Sequence, residues 1–198
     1  MAGKVAERRK VLRENLIVIA DRRIAENGLG ALRARDLTTE AGCALGAIYT
    51  IFDDLNDLVL AVNALTFQRL GADVAASLAD APQDATEQLI TMAQAYHAFA
   101  ASNYLSWRAL FDLERPKGET APDWYLQEMG QLFVYISTPL ATLFPNRNAD
   151  EIGLLTRAIF SSVHGIILLG LDEASAGVTK DKIDDMIAVI LLQLVGQN

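Results

Sequence analysis

The sequence has few cysteines and prolines and no apolar run long enough to cross a bilayer. It contains one cysteine, Cys43, and five prolines in 198 residues, which excludes an internal disulfide and argues against a proline-rich chain. The cysteine suits a reducing cytoplasm and equally suits a small apolar packing position. The longest strongly apolar runs, 158–171 and 186–195, are shorter than the ~20 residues of a membrane span. No apolar signal-peptide core follows the basic N-terminus. We therefore expect a compact cytoplasmic protein without a membrane span.

The charge is distributed unevenly along the chain. The net charge is −8, yet residues 1–35 carry nine Lys/Arg against four Asp/Glu. With Asp36 and Glu40 included, the first 52 residues carry +3, which leaves −11 for residues 53–198. A basic end is attracted to phosphate groups while an acidic body is not. This asymmetry favours DNA binding at the N-terminus, although a solvated charged helix would have the same composition.

Apolar periodicity predicts an all-α fold of roughly nine helices. A first helix has apolar residues four apart, and Asn27-Gly28 predicts a left-handed stop after it. Helix starts are indicated at Asp54, Asp84 and Asn148, each followed three residues later by an acidic residue, and at Thr120, which precedes Pro122 and Asp123. Beyond a helix starting near Leu55, the later helices are expected at 84–101, 104–113, 123–143, 149–172 and 179–196.

Two very short helices, Ala34–Ala41 and Leu45–Ile51, are predicted on either side of Gly42. Helices of about two turns cannot bury a core alone, but joined at a tight turn they can pack together on a third helix. We expect Leu37 and Ile48 to form the shared core and Gly42 to adopt a positive φ. The arrangement is typical of a DNA-binding helix-turn-helix. A helical hairpin inside any α-bundle is the alternative.

The segment Leu37–Phe52 resembles the signature of the tetracycline-repressor (TetR) family. The resemblance rests on Ala41-Gly42, Gly46, Tyr49 and Phe52, and it extends over about residues 12–62. It implies an N-terminal three-helix DNA-binding head at 1–54 and a C-terminal helical domain at 55–198 for ligand binding and dimerisation.

The sequence departs from the family pattern at positions that usually contact phosphate. Ala44 replaces a hydroxyl residue, Ile51 a His or Tyr, and Leu55 a Lys, while Asp53-Asp54 adds negative charge. Residues 44–50 also lack Arg, Lys, Asn and Gln, the side chains that read purines through paired hydrogen bonds, so we expect apolar contacts to thymine methyl groups. The candidate DNA-binding residues are Arg8, Arg9, Lys10, Arg33, Arg35, Ala44, Leu45, Gly46, Tyr49 and Thr50.

The C-terminal region resembles the TetR sensor domain that is named for a Trp-His-Gly motif. The similar segments are Tyr96–Leu113 and Ala158–Leu171, and the motif stands here as Val163-His164-Gly165. The resemblance implies that the last two long helices form the dimer interface, with candidate residues Phe160, His164, Ile167 and Leu191. The aromatic residues of the sensor region are candidates for an apolar ligand pocket or for ordinary core packing: Tyr96, Phe99, Tyr104, Trp107, Phe111, Trp124 and Tyr125.

The sequence is compatible with three classes of function. The first is a transcription repressor that a small hydrophobic ligand releases from a palindromic operator, in a cytoplasmic, nucleoid-associated homodimer without cofactor or metal. The second is an enzyme, which has little support because His97 and His164 are far apart and no metal-ligand spacing or nucleophile motif is present. The third is a TetR-like helical binding or scaffold protein with weak or lost DNA binding.

Overall fold

The computed structural model describes residues 2–79, 81–114, 118, 120–172 and 178–196. Within these residues the chain is all-α, with nine helices and no strand, which confirms the predicted fold class. The segments between the predicted helices at 80–83, 114–121 and 173–178 lie partly outside the described residues. The helices are α1 Ala2–Asn27, α2 Ala34–Glu40, α3 Leu45–Ile48, α4 Leu55–Ala79, α5 Ala85–Ser102, α6 Tyr104–Asp112, α7 Asp123–Leu143, α8 Ala149–Leu171 and α9 Lys180–Val195.

Side-chain caps begin the helices at three of the four predicted starts, and α7 begins at Asp123, near the fourth. The Asp54 carboxylate accepts from the amide three residues on at 2.8 Å, and the Asp84 carboxylate accepts from the Glu87 amide at 3.0 Å. Before α8, the Asn148 side chain accepts from the Glu151 amide while the Glu151 carboxylate accepts from the Asn148 amide. These bonds satisfy amides that a helix leaves unpaired at its first turn.

Glycines with positive φ end α1 and separate α2 from α3. Gly28 has φ +77° and Gly42 has φ +67°, a region that side chains with a Cβ rarely adopt. Both turns were predicted from the sequence, and both are confirmed. A single turn of 3₁₀ helix, Leu29–Ala31, follows the first of them.

The chain divides into two compact units. The first contains residues up to Gln68 together with Asn103–Tyr125, and the second contains Arg69–Ser102 and the residues from Leu126 onward. The division thus falls within α4 and within α7, and it groups α6 with α1 to α3. The functional boundary at residue 54 stays a prediction. The core of the first unit contains Leu16, Ile19, Ala20, Ile24, Leu32, Leu37, Ile48, Phe52, Leu58, Val59, Ala61, Val62 and Ala109.

In the second unit, α5, α8 and α9 pack on one another. Ile183 and Ile187, one turn apart on α9, are 1% and 0% exposed. At Gly170 of α8 an added Cβ would lie 2.7 Å from the Ile183 side chain, which is closer than carbon atoms can approach. A side chain at this position would therefore force the Ile183 side chain to shift, so glycine favours the close packing of α8 on α9.

Two helices are long and apolar enough, by length and composition alone, to cross a membrane. They are α4 and α8, and the apolar windows that pass this test are 61% and 28% buried, respectively, within the protein. Core helices of soluble proteins pass the same test, and α4 fits that description. Most of the α8 window is not buried within the chain.

Candidate DNA-binding surface and ligand-sensing residues

The first unit contains a helix-turn-helix. At the turn between α2 and α3 the Cys43 amide donates to the Thr38 carbonyl at 3.0 Å. Leu37 of α2 and Ile48 of α3 are 0% and 1% exposed and belong to one core cluster, as predicted. Because Ile48 points inward, the opposite side of α3 faces outward.

The outward side of α3 is apolar and exposed. Leu45 and Tyr49, one helical turn apart, are 44% and 54% exposed, and Ala44 and Gly46 are also exposed. The Thr50 hydroxyl donates to a backbone carbonyl of α3 at 2.7 Å. The predicted recognition residues thus share one accessible surface, whose polar groups are the Tyr49 hydroxyl and the Thr50 side chain.

The three basic residues predicted near the start of α1 differ in their contacts. Arg8, Arg9 and Lys10 are all exposed. Lys10 lies 4.0 Å from Glu14, four residues on along the same helix. Arg9 instead donates through Nη2 to the backbone carbonyl of Thr50. One of the three therefore bridges α1 to Thr50, two residues beyond the end of α3.

Two further arginines of α1 bind the acidic residues of α2. Arg23 donates through Nε to Glu40 at 2.9 Å and lies 3.9 Å from Asp36. Arg22 bonds to Glu40 and, at 2.8 Å, to Glu26. These bonds raise the pKa of Arg22, and the two guanidinium groups hold the pKa of Glu40 below its ordinary value. The pairs fasten α2 to α1 and engage the side-chain charges of Arg22 and Arg23 within the protein.

Arg33 and Arg35, at the start of α2, also differ in whether they bind groups of the protein itself. Arg33 donates through Nη1 to the carbonyls of Gly30 and Leu32 at 2.7 and 2.9 Å, so it stabilises the turn before α2. Arg35 is exposed on α2 and is the better placed of the two for a phosphate. Both remain predictions as DNA contacts.

The acidic pair after α3 has a structural role that the sequence only partly indicated. Asp54 caps α4 through the Asp57 amide, and the Asp53 amide donates to the Asp57 carboxylate at 3.4 Å. Both aspartates are exposed. The pair therefore begins α4, and its negative charge lies next to the recognition helix in sequence.

Five of the seven aromatic residues predicted to bind a ligand lie in the first unit. Trp107 is 0% exposed, with ring centroids of Tyr104 and Phe111 at 6.1 and 5.7 Å. Tyr125 packs edge-on against Trp124 at 5.7 Å. Phe111 and Trp124 are 44% and 41% exposed, so this group combines buried and accessible rings.

Asn63 of α4 is a polar residue of the same unit that the sequence analysis did not single out. It is 0% exposed, and its Nδ2 donates to the Ala109 carbonyl at 3.0 Å. This bond fixes the orientation of the amide, and among the described residues Asn63 Oδ1 has no hydrogen-bond partner. A buried acceptor without a donor costs about 1–3 kcal/mol. The available signal was an amide within an otherwise apolar stretch of α4.

In the second unit, residues predicted for the ligand and for the dimer lie together. The Tyr96 hydroxyl is 2.9 Å from Nδ1 of His164. Phe160 stacks on the His164 ring at 5.5 Å and contacts Phe133 edge-on at 5.2 Å. Phe99 is 4% exposed. Tyr96, Phe160 and His164 thus form one aromatic cluster that joins α5 to α8.

His97 joins α5 to α9. It is 4% exposed, and its Nδ1 is 2.8 Å from the Asp184 carboxylate. A carboxylate only accepts, so Nδ1 carries the hydrogen. Nε2 is buried and has no partner among the described residues. This contact fixes α9 through a side chain of α5.

Two of the four dimer residues proposed from the sequence do not lie on the surface of α8 and α9. Ile167 and Leu191 are both 0% exposed within one protomer, so they pack inside their own unit. Phe160 and His164 are half-buried. The large apolar side chains that α8 and α9 expose are Leu154, Leu169, Met186, Val189, Leu192 and Leu194.

Solved structures with the same fold include RolR and two regulators of the TetR family. RolR, solved in complex with the ligand resorcinol, has a TM-score of 0.73 at 20% identity and covers 96% of this chain and 90% of its own. A tetR-family regulatory protein from Rhodococcus RHA1 has a TM-score of 0.64 at 16% identity, with 93% and 96% covered. For the TetR-family regulator PfmR from Thermus thermophilus the TM-score is 0.59 at 16% identity, with 90% and 97% covered.

Neither a protein-family model nor a curated protein sequence matches this chain. The likeness is thus one of structure, over nearly the whole length of both chains. The protein has the all-helical fold of TetR-family regulators, which confirms the fold that the helix-turn-helix resemblance implied.

Proposed function

We propose that this protein is a DNA-binding transcription regulator, a homodimeric repressor that leaves a palindromic operator when a small hydrophobic ligand binds. The observation that carries the proposal is the exposed outer side of α3 on a head whose inner side is fixed by Ile48. A helix held in this way can enter the major groove as a recognition helix.

Base reading on this surface is apolar. Leu45 and Tyr49 project from α3, and apolar side chains discriminate thymine through its methyl group. Phosphate contacts come from the Tyr49 hydroxyl and from exposed cations such as Arg8 and Arg35. Such contacts set the position of the head on DNA, while the sequence preference comes from α3.

Dimerisation uses the exposed side of α8 and α9. Along α8, residues 154, 158, 161, 165 and 169 follow a helical spacing of three and four, with Leu at both ends and Ala, Ser and Gly between them. Small residues in the middle let a partner helix approach closely. Leu154 and Leu169 are 69% and 60% exposed, and Val189 of α9 is 61% exposed. A partner copy would cover this surface and complete a four-helix interface.

The ligand is a small aromatic molecule that carries a hydroxyl group. The aromatic rings around Trp107 supply apolar contacts, and the unpaired Asn63 Oδ1 accepts the hydrogen of the ligand hydroxyl. The neighbour RolR binds resorcinol, a molecule of this class. Regulation then follows from a difference in ligand affinity between DNA-bound and free conformations.

A mobility-shift assay with DNA flanking the protein's own gene tests the proposal. We expect a saturable complex that an unrelated fragment of equal length does not form at the same concentration. Tyr49→Ala should weaken this complex, whereas a substitution of the exposed Val134 on α7 should not. Equal binding of both fragments by the unmodified protein, or no binding of either, would refute operator recognition.

The alternative is a TetR-like helical binding or scaffold protein with weak or lost DNA binding. It is favoured by Ile51 and Leu55, where the family has polar or basic residues, and by the negative charge of Asp53 and Asp54. Under this alternative the assay gives no complex, while the dimer and ligand binding persist.

A further inference from the structure

The arginines of α1 fall into two groups according to what they contact. Arg22 and Arg23 bind the acidic residues of α2. Arg9 and Arg13, one helical turn apart, contact the segment that follows α3. Arg9 donates to the Thr50 carbonyl, and the Arg13 guanidinium lies 5.3 Å from the ring centroid of Phe52.

The Thr50 carbonyl is available because α3 is so short. The helix ends at Ile48, and the amides of Thr50 and Phe52 close turns back to α3 at 3.2 and 2.9 Å. Carbonyls at the end of a helix have no partner within it. Arginine side chains near a helix C-terminus commonly bind such carbonyls, and here the arginine comes from another helix, 41 residues earlier in the chain.

The recognition helix depends on such external contacts. α3 has four residues, of which only Ile48 is buried, and a helix of one turn does not hold its own conformation. The contacts around it include those of Ile48 and Phe52 in the core, the turn bond from Cys43 to Thr38 and the Arg9 bond. Sequence-specific contacts tolerate displacements of only about 0.5 Å.

We propose that Arg9 is a positioning residue for the recognition helix, supported by Arg13 through Phe52, and that it is not a phosphate contact. Arg9 holds the chain where it leaves α3, and the phosphate contacts at this end of α1 belong to its neighbour Arg8. The inference rests on the proposed DNA-binding function.

Arg8→Ala and Arg9→Ala form a matched pair, because each removes one exposed positive charge from adjacent positions of α1. Both variants are measured as full-length protein on the fragment that flanks the protein's own gene and on an unrelated fragment, over a salt series. Arg8→Ala should weaken binding to both fragments alike and flatten the slope of log K against log salt by about 0.9 per lost contact, or about 2 per dimer.

Arg9→Ala should leave that slope within about 0.5 of the unmodified value and lower the ratio of specific to unrelated affinity by roughly 10-fold, since a lost hydrogen bond to a charged group has about this effect. If Arg9→Ala flattens the slope as Arg8→Ala does and the ratio is unchanged, Arg9 is a phosphate contact and the proposal is wrong.

Hydrogen exchange of the free protein tests the contact without DNA. In Arg9→Ala the amides of residues 50–52 should exchange faster than in Arg8→Ala, with unchanged exchange in α5. Equal exchange of these amides in the two variants would overturn the positioning role. A chain that binds no DNA would refute the proposed function, and the exchange measurement would still decide whether Arg9 holds this segment.

Discussion

α4 and α8 are nearly equal in length, with 25 and 23 residues, and both are strongly apolar, yet 61% of the apolar window of α4 is buried against 28% for α8. The composition of a helix therefore does not reveal whether its apolar surface belongs to the core. α4 is covered by its own chain and holds a buried amide, Asn63, whereas α8 presents apolar side chains outward. We assign the interior polar group of α4 to a ligand and the uncovered side of α8 to a second copy.

The largest effect should come from placing charge on the uncovered surface. Leu169→Asp with Val189→Asp should give a monomer in multi-angle light scattering, because two buried charges would face the partner. Operator affinity should fall by about 100-fold or more, because each head would then bind alone.

Val134→Asp is the matched control, since Val134 is 59% exposed on α7. It should remain dimeric. A dimer that survives both charges on α8 and α9, or that Val134→Asp dissociates equally well, would place the interface on another surface.

The proposed contact between the ligand and Asn63, on the buried side of α4, is tested with a phenol and its methyl ether. A substituted phenol at one hundred times its Kd should stabilise the protein by about 2.7 kcal/mol, and its methyl ether should bind more weakly because it has no hydrogen to donate to Asn63. In Asn63→Leu the two compounds should bind alike. Thermal shift and the fluorescence of Trp107 and Trp124 report binding.

Trp107→Ala is a poor variant for this purpose. The side chain is 0% exposed, and its truncation would cost about 3–5 kcal/mol of stability. Equal binding of phenol and ether to the unmodified protein would show that Asn63 does not contact the ligand.

Two glycines lie on different sides of α8. Gly170 lies on the side that packs on α9, and Gly165 lies on the uncovered side. Gly170→Ala should lower the free energy of unfolding by about 1–3 kcal/mol, because the new methyl group clashes with Ile183. Gly165→Ala should not lower it, because an added Cβ there meets nothing within 4 Å. Chemical denaturation in the monomeric Leu169→Asp, Val189→Asp background measures both. If Gly165→Ala is the more destabilising, the packing of α8 has been misassigned.

A smaller effect, on DNA affinity, is expected from a substitution of Leu55, the first residue of α4. Leu55→Lys should strengthen binding to operator and unrelated DNA alike by restoring the cation that the family has there, and it should steepen the salt slope by about 0.9 for each new phosphate contact. Binding isotherms over a salt series give this result. An unchanged affinity and slope would mean that the start of α4 does not approach the DNA backbone.

The smallest effect concerns the ion pairs between α1 and α2. The pKa of Glu40 in the folded protein is below its ordinary value of 4.5, so its contribution is present above that value and is lost as the pH falls through the folded pKa. Hydrogen exchange of the α2 amides, corrected for intrinsic pH dependence, should therefore accelerate on acidification. In Glu40→Gln this acceleration should be absent. The effect is small because the pair is exposed.

Features set by neighbouring residues could be predicted from the sequence. The caps at Asp54, Asp84 and Asn148 and the positive φ of Gly28 and Gly42 depend on contacts within a few residues, and the structure confirms them. For the same reason most helix bounds lie close to those predicted.

Features set by distant residues could not be predicted. The Arg9–Thr50 bond spans 41 residues and the His97–Asp184 contact spans 87, and no local pattern indicates either. The apolar run 158–171 contains four consecutive large apolar residues, 166–169, which cannot all face one core. It could not show that Ile167 faces inward while Leu169 faces outward, because this depends on where α9 packs.

The recognition helix buries a single side chain, Ile48, while Ala44, Leu45 and Gly46 face outward. Substitutions at these three positions therefore change the surface that we propose contacts DNA without removing a side chain from the core. An operator preference carried by such positions can diverge between related genes faster than the fold can. The same separation makes the head a suitable scaffold for retargeting, since a library over residues 44–46 would sample new operators while each member retains Ile48 and the contact between Arg9 and Thr50.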